Sequence, residues 1–254
     1  MLIALTREVS PAIIHCELTH LERVPIDYEA ARSQHAEYLA ALRSLGLQVQ
    51  SLPEEPDLPD SVFVEDTSIV LDECAVITRP GADSRKPETE SVARALAPHR
   101  SLFHIQPPAT LDGGDVLRLN RTLHVGLSSR SNRQGIEQLG SLLAPFGYSV
   151  RGARVTGCLH LKTAITQVAS DTLLINPAMI EKGDFPGWKF IEVDPSEPVA
   201  ANALLIGDRL IYPSAYPLTR ARLEAAGLKL TLVDASELAK AEGGVTCCSL
   251  IFQS

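Results

Sequence analysis

The feature that most constrains the fold of this chain is a repeated pattern of two short apolar runs separated by a polar turn. β-prone runs of this kind, joined through turn-forming residues such as Gly207-Asp208, are typical of β-hairpins. The pattern occurs four times, at residues 68–78, 115–125, 164–176 and 203–213. Such regular recurrence predicts one structural unit used several times.

A helix-like segment and then a single strand-like run follow each predicted hairpin. Apolar residues recur at helical spacing in segments 87–98, 132–143 and 217–227, and strand-like runs follow at 102–105, 148–155 and 229–233. In the third unit only residues 177–183 could be helical before the run at 189–193. Residues 246–252 and 2–5 could form a fifth hairpin from the two chain ends, with residues 28–45 as its helix.

Five ββαβ units arranged in a ring would bury one continuous core, because repeats bury their apolar faces against neighbours. An ordinary open α/β sheet also alternates strands and helices, and it is the alternative. The repeat spacing favours the ring. The chain has 254 residues, 45% of them hydrophobic, and no Gly/Ser-rich linker, so we expect a single domain over residues 1–254.

Composition narrows the function classes. The net charge of −8 opposes binding to nucleic acid or to an anionic membrane surface, and it leaves a small cationic substrate possible. We find neither a signal-peptide pattern nor a membrane-spanning run. The five cysteines are odd in number and show no CxxC spacing, which predicts reduced thiols and a cytoplasmic location.

Reactive side chains stand just before the predicted hairpins. Cys247 follows Gly243 and Gly244 at the predicted start of a strand, and His160 stands at the same point before the third hairpin. A cysteine nucleophile needs a proton-transfer partner, and an imidazole titrates near neutral pH. Taken singly, each residue is better explained as a buried structural side chain. Their matching position in the repeat favours a catalytic pair.

Carboxylates occupy the same position before the first and second hairpins. Asp66 and Asp112 each lie among apolar residues, where a buried carboxylate needs a cation, a hydrogen-bond network or a proton. A planar guanidinium could accept both carboxylates in forked pairs. The alternative is that such acids bind loop amides and structural arginines, which is an equal prospect for Asp60 and Asp115.

Six motifs, in order along essentially the whole chain, together resemble dimethylarginine dimethylaminohydrolase, a family of the guanidine-modifying superfamily. They are DSVFVED (60–66), ITRPGA (77–82), LDGGDV (111–116), LHLK (159–162), AAN (200–202) and TCCS (246–249). The resemblance implies an α/β fold, the five-bladed ββαβ propeller with pseudo-five-fold symmetry.

The resemblance also implies residue roles. Cys247 would be the nucleophile, His160 the general acid and base, and Asp66 with Asp112 the carboxylates that hold the guanidinium. Two arginines would bind the substrate α-carboxylate, and further residues would complete the amino-acid site or a lid over residues 10–25; these are Arg85, Arg130, Leu18, Asp60, Glu65 and the backbone at Ala241.

The implied reaction converts methylated arginines to citrulline and dimethylamine or methylamine. It requires no redox step or Lewis acid, so we expect no cofactor and no functional metal, although zinc could bind Cys247 and His160 as an inhibitor. One alternative is a hydrolase or deiminase of arginine or another guanidino acid. Another is a thiol-based metal-binding or redox-sensing protein using Cys247 and Cys248.

Overall fold

Fifteen short strands form five separate three-stranded sheets in the computed structural model, which describes all residues from Met1 to Ser254. The strands are β1 (Leu2–Arg7), β2 (Gln48–Leu52), β3 (Ser68–Val70), β4 (Cys74–Ile77), β5 (Ser101–His104), β6 (Val116–Leu119), β7 (Thr122–Leu127), β8 (Ser149–Arg154), β9 (Ile165–Ala169), β10 (Thr172–Ile175), β11 (Lys189–Glu192), β12 (Leu204–Ile206), β13 (Arg209–Pro213), β14 (Lys229–Val233) and β15 (Leu250–Gln253). The helices are α1 (Tyr28–Ser44), α2 (Glu88–Leu96), α3 (Arg133–Leu143), α4 (Leu161–Ala164), α5 (Pro217–Ala225) and α6 (Ser236–Ala239).

All five sheets share one topology. The first strand is antiparallel to the middle strand, which is parallel to the third, as in β3-β4-β5 and β6-β7-β8. A parallel neighbour needs a crossover connection, which α1, α2, α3 and α5 supply in four of the sheets. The fifth sheet, β15-β1-β2, joins the two chain ends, with Leu5 opposite Leu250. The predicted terminal hairpin is therefore confirmed.

Local sequence explains where the long helices begin and end. The Asp27 side chain accepts a hydrogen bond from the Ala30 amide at 3.0 Å and caps α1, and Gly46 follows the helix with a φ of +87°. Asn132 caps α3 in the same way, at 2.8 Å from the Gly135 amide. Both predicted caps are present.

The stretch that could have been helical in the third unit, residues 177–183, does not form an α-helix. The connection between β10 and β11 contains only a short 3₁₀ turn, Lys182–Asp184. Pro177 and Pro186 have no amide hydrogen to donate, and Gly183 weakens a helix interior. The segment instead forms turns, and its carbonyl at Met179 accepts a hydrogen bond from the Thr156 amide.

Five apolar clusters lie between successive sheets and close the ring. Along β4, Cys74 and Val76 pack into the cluster shared with β6 and β7, whereas Ala75 and Ile77 pack into the cluster shared with β1 and β15. Adjacent residues of a strand point to opposite faces, so both faces of the middle strand are buried. The clusters link the sheets in the order β15-β1-β2, β3-β4-β5, β6-β7-β8, β9-β10-β11, β12-β13-β14 and back to the first. The structure is a ring and not an open sheet.

The first strand of every sheet faces the ring centre. β3, β6, β9, β12 and β15 all contribute side chains to one central cavity of about 250 Å³. Because these strands are related by the repeat, the residues just before them meet at one end of the cavity.

Since each sheet shares its core with both neighbours, we infer that residues 1–254 form a single domain. None of the helices has the combination of length and apolar character that crossing a bilayer demands.

Candidate active site

The strands that face the ring centre are β3, β6, β9, β12 and β15. The segment before each of these central strands brings one polar side chain to the same end of the ring. Asp66 lies in a 3₁₀ turn before β3, Asp112 stands just before β6, His160 before α4 and β9, and Cys247 before β15. The four residues predicted to converge do so. Asn202, before β12, occupies the fifth equivalent position.

The His160 imidazole lies between two carboxylates. Its Nε2 is 3.0 Å from Asp112 Oδ2, and its Nδ1 is 3.8 Å from Asp66 Oδ1. Backbone amides hold both acids, since Gly114 N–H donates to Asp66 at 2.8 Å and Gly81 N–H donates to Asp112 at 2.9 Å. Gly114 also has no side chain to collide with Asp66 and His160, so two acids and an imidazole can share one buried space.

This arrangement favours a protonated imidazole. Burial opposes the charged form of His160, but Asp66 and Asp112 outweigh it and raise the pKa of His160 to about 9. Burial likewise opposes ionisation of Asp66, but His160 and Arg85 outweigh it and hold the pKa of Asp66 at about 2. Near neutral pH the site therefore contains an ionised Asp66 carboxylate and a proton donor at His160.

Cys247 lies in a turn, three residues before β15 begins. The strand predicted from residue 246 thus starts later, at Leu250. The Gly244 amide approaches Cys247 Sγ at 3.3 Å, and the Cys247 carbonyl accepts a hydrogen bond from the Glu65 amide at 3.0 Å. Burial and the negative charge of nearby Glu65 raise the pKa of the Cys247 thiol to about 12. The sulfur therefore carries its proton near neutral pH.

Asn202 fastens the nucleophile turn to the histidine segment. Its Oδ1 accepts a hydrogen bond from the Thr246 amide at 3.1 Å, and its Nδ2 donates to the Lys162 carbonyl at 3.0 Å. A side chain on Gly244 would collide with Asn202, so the glycine permits this contact. Its place in the repeat was the signal that could have identified Asn202 as a site residue.

The two predicted arginines differ in their surroundings. Arg85 donates to Asp66 at 2.5 Å and to Glu88 at 2.8 Å, so it neutralises buried carboxylates of the protein itself. Arg130 is also buried, yet its Nη1 has no hydrogen-bond partner, while its Nη2 donates to Thr19 Oγ1 at 3.2 Å. A buried guanidinium with unused donors is suited to bind an anion.

A narrow cavity of about 10 Å³ joins most of the predicted residues. Its wall includes Asp60, Asp66, Arg85, Arg130, His160, Ala241 and Cys247. Asp112 lies behind His160. Glu65 lies outside this wall and contributes to the central cavity, where it binds Lys162 at 2.5 Å and Thr246 at 2.8 Å. Leu18 also lies outside it, half-buried against the core.

The lid segment, residues 10–25, borders the narrow cavity, and its backbone amides bind two carboxylates. The Glu17 amide donates to Asp60 at 3.0 Å, and Glu17 itself forms part of the cavity wall. The amides of residues 19, 20 and 21 converge on the carboxylate of Glu242 at 3.0, 2.5 and 2.7 Å. Glu242 has a φ of +58°, a conformation uncommon outside glycine. This latch was not predicted.

Potential metal ligands are present only as part of the acid and imidazole cluster. Atoms of Asp66, Asp112 and His160 lie within 4.8 Å of one another. Asp66 already binds the Arg85 guanidinium and Asp112 already binds the His160 imidazole. A metal ion at this place would therefore have to displace both partners.

Sequence comparison places the chain among known proteins. A sequence model described as arginine deiminase matches residues 53–204. A Streptomyces coelicolor N(G),N(G)-dimethylarginine dimethylaminohydrolase is 39% identical over 250 residues, which is 97% of this chain and 95% of the relative. The Pseudomonas aeruginosa protein of the same name is 36% identical over 228 residues, 89% of this chain and 90% of that protein.

The chain belongs to the dimethylarginine dimethylaminohydrolase family. Solved structures of the family have the same fold. A cysteine-to-serine variant of the Pseudomonas aeruginosa protein complexed with citrulline matches with a TM-score of 0.94 and 33% identity, over 98% of both chains. The adduct of a histidine-to-glycine family variant with S-methyl-L-thiocitrulline matches with a TM-score of 0.95 and 33% identity, over 99% of this chain and 100% of that one.

The predicted family and the five-bladed propeller are thus confirmed. Membership in the dimethylarginine dimethylaminohydrolase family also favours an enzyme over the thiol-sensor alternative. The family variants altered at a cysteine and at a histidine are those crystallised with citrulline and with a thiocitrulline adduct. In this chain a cysteine and a histidine, Cys247 and His160, both line the narrow cavity.

Proposed function

We propose that this protein hydrolyses Nω-methylated arginines, dimethylarginine and monomethylarginine, to citrulline plus dimethylamine or methylamine. Cys247 would carry a covalent intermediate in this reaction. The observation that carries the proposal is the shared cavity in which Cys247, His160 and Asp66 meet, with Asp112 bound to His160. The names of the family members and the citrulline and thiocitrulline ligands in their structures support the same reaction.

The first step needs a cation beside the thiol. A substrate guanidinium held by Asp66, beside the pair that Asp112 forms with His160, would place positive charge next to Cys247 and favour release of the thiol proton to solvent water. The thiolate then attacks the central guanidinium carbon and forms a carbon–sulfur bond. The protonated His160 donates its proton to the methylated nitrogen, the carbon–nitrogen bond breaks, and the amine leaves. An S-alkylthiouronium remains on Cys247.

The second step reverses the proton transfer. Neutral His160 takes a proton from a water molecule, whose oxygen attacks the thiouronium carbon. The carbon–sulfur bond then breaks, the sulfur of Cys247 leaves as a thiolate and takes up the hydroxyl proton, and the carbon keeps the new oxygen as the urea carbonyl of citrulline. The raised pKa of His160, about 9, suits it to be protonated at the start of each cycle.

The amino-acid end of the substrate would occupy the rest of the narrow cavity. Arg130 offers unused guanidinium donors to the α-carboxylate, and the buried Asp60 carboxylate offers an acceptor to the α-ammonium group. Arg85 would contribute mainly by fixing Asp66, since most of its donors already bind protein oxygens. The lid segment would exclude water once the substrate is bound.

The direct test is citrulline release from dimethylarginine, monomethylarginine and arginine, measured side by side. We expect turnover of both methylated compounds, whereas turnover of arginine alone would favour the deiminase alternative. Cys247→Ser should abolish turnover. The matched variant Cys248→Ser should retain most of it, because Cys248 is buried against the Gly244 carbonyl and lines neither cavity. If only the Cys248 variant lost turnover, the nucleophile would be Cys248 and not Cys247.

The substrate is thus a small molecule, as the ligands of the family structures support. The five cysteines are free thiols, a state that a reducing compartment maintains. We therefore retain the cytoplasmic location as a prediction.

A further inference from the structure

A second and larger cavity adjoins the narrow one. Its volume is about 330 Å³, against about 10 Å³ for the narrow cavity. The two cavities share part of their walls, and Cys247 and His160 line both of them. The sulfur and the imidazole that would react with substrate therefore stand at the junction of two spaces of different size.

The two spaces also differ in chemistry. Asp60, Asp66, Arg85 and Arg130 line the narrow cavity and are absent from the wall of the larger one. Much of the larger wall consists of uncharged side chains, including Met179, Pro198, Val199, Pro213, Ala215 and Tyr216. Apart from the His160 imidazole at the junction, the charged side chains of its wall are Lys162 and Glu242, which are already bound to Glu65 and to the lid amides.

These differences orient the substrate. The charged amino-acid and guanidinium groups belong with the charged residues of the narrow cavity, which admits them when the lid segment moves away from Asp60. The nitrogen that receives a proton from His160 then faces the larger cavity. We propose that the larger cavity is a subsite for the Nω-substituent and accepts uncharged alkyl groups longer than methyl, such as n-butyl. This inference rests on the function proposed above, because it requires hydrolysis at the substituted nitrogen.

The size of the cavity supports a longer substituent. One water molecule occupies about 30 Å³ of liquid, and a methylene group needs comparable space, so 330 Å³ accommodates roughly ten such units. A dimethylamino group needs about three. With Nω-butylarginine the steps are unchanged: the bond from the guanidinium carbon to the substituted nitrogen breaks, His160 supplies the proton, and the products are butylamine and citrulline.

The experiment compares kcat/KM for Nω-methyl-, Nω-ethyl- and Nω-butyl-L-arginine by citrulline release. A closed apolar pocket rejects a single extra methylene about 10- to 200-fold, so an Nω-butyl value within about tenfold of the Nω-methyl value supports an open subsite. A larger loss overturns the inference. If Nω-methylarginine itself is not hydrolysed, the proposed function fails as well, and the two failures are thereby distinguished.

Variants locate the subsite. Ala215→Trp adds bulk at an exposed position of the larger wall, and it should lower the ratio of Nω-butyl to Nω-methyl kcat/KM at least about tenfold. Ala239→Leu repeats the test from a half-buried wall position. The matched control Ala225→Trp, exposed on α5 and outside both walls, should leave the ratio unchanged. An unchanged ratio in both wall variants overturns the assignment.

Discussion

Replacing Gly114 with alanine should disable the site while leaving the fold in place. An ideal Cβ on Gly114 would lie 2.6 Å from both Asp66 Oδ1 and His160 Nδ1. Ordinary contact begins near 3.4 Å, so these groups would have to retreat by about 0.8 Å. Neither can do so freely, because Arg85 holds Asp66 and Asp112 holds His160. A displacement near 1 Å costs about 100-fold in rate, or about 2.7 kcal/mol.

The assay is citrulline release from dimethylarginine, with circular dichroism and urea unfolding to establish that Gly114→Ala is folded. We expect kcat to fall about 100-fold and the free energy of unfolding to fall by about 1–3 kcal/mol through overpacking. The control is Gly140→Ala in α3, where the nearest atom to a new Cβ is Val150 Cβ at 3.7 Å. That variant should keep full activity. A folded Gly114→Ala enzyme with nearly normal kcat would refute the reasoning.

Two further predictions concern the lid and pH. Glu242→Gln removes the charge that binds three lid amides, so we expect the lid to be held less firmly and amide hydrogen exchange at residues 19–21 to accelerate. Loss of about 1.4 kcal/mol of substrate binding would raise KM about tenfold. The exposed Glu224→Gln is the control, and unchanged exchange in Glu242→Gln would contradict the latch. The pKa of His160 is raised in the folded state to about 9. The protonated imidazole therefore stabilises the folded protein fully below the ordinary histidine pKa of 6.5, and this stabilisation is lost as pH rises through 9. The free energy of unfolding of the wild type should therefore fall by about 3 kcal/mol more than that of His160→Gln between pH 6 and pH 10, as measured by urea unfolding. Equal pH dependence of both proteins would show that the imidazolium is not stabilised.

The internal hairpins were predictable because their apolar runs are bounded by turn dipeptides. The central strands begin at Ser68, Val116, Ile165 and Leu204, within one residue of the predicted starts. The start of β15 was not predictable in this way. Thr246 is β-branched, which is typical of strand residues, but its amide and hydroxyl bind Asn202 and Glu65 instead. Tertiary hydrogen bonds thus override the local pattern.

The acid, imidazole and thiol groups of the site could be predicted because their position in the repeat is visible in the sequence. Contacts made by backbone amides could not, because an amide is present at nearly every residue. The Gly244 amide beside Cys247 and the lid amides on Glu242 are of this kind. The direct ion pair between Asp66 and Arg85 was not predicted either. The family resemblance places Asp66 at the guanidinium end of the substrate and Arg85 at the carboxylate end.

The alternation of side chains along the middle strands has a consequence for how the molecule opens. In a linear repeat array a terminal repeat has one neighbour and can fray alone. In this ring, detaching β3-β4-β5 would expose two apolar clusters at once, because Val76 belongs to one and Ala75 to the other. The ring should therefore open only as a whole. Low-energy motion is left to segments outside the shared clusters, above all the exposed part of the lid segment. We therefore expect the ring to keep the reacting groups in place while the lid segment moves.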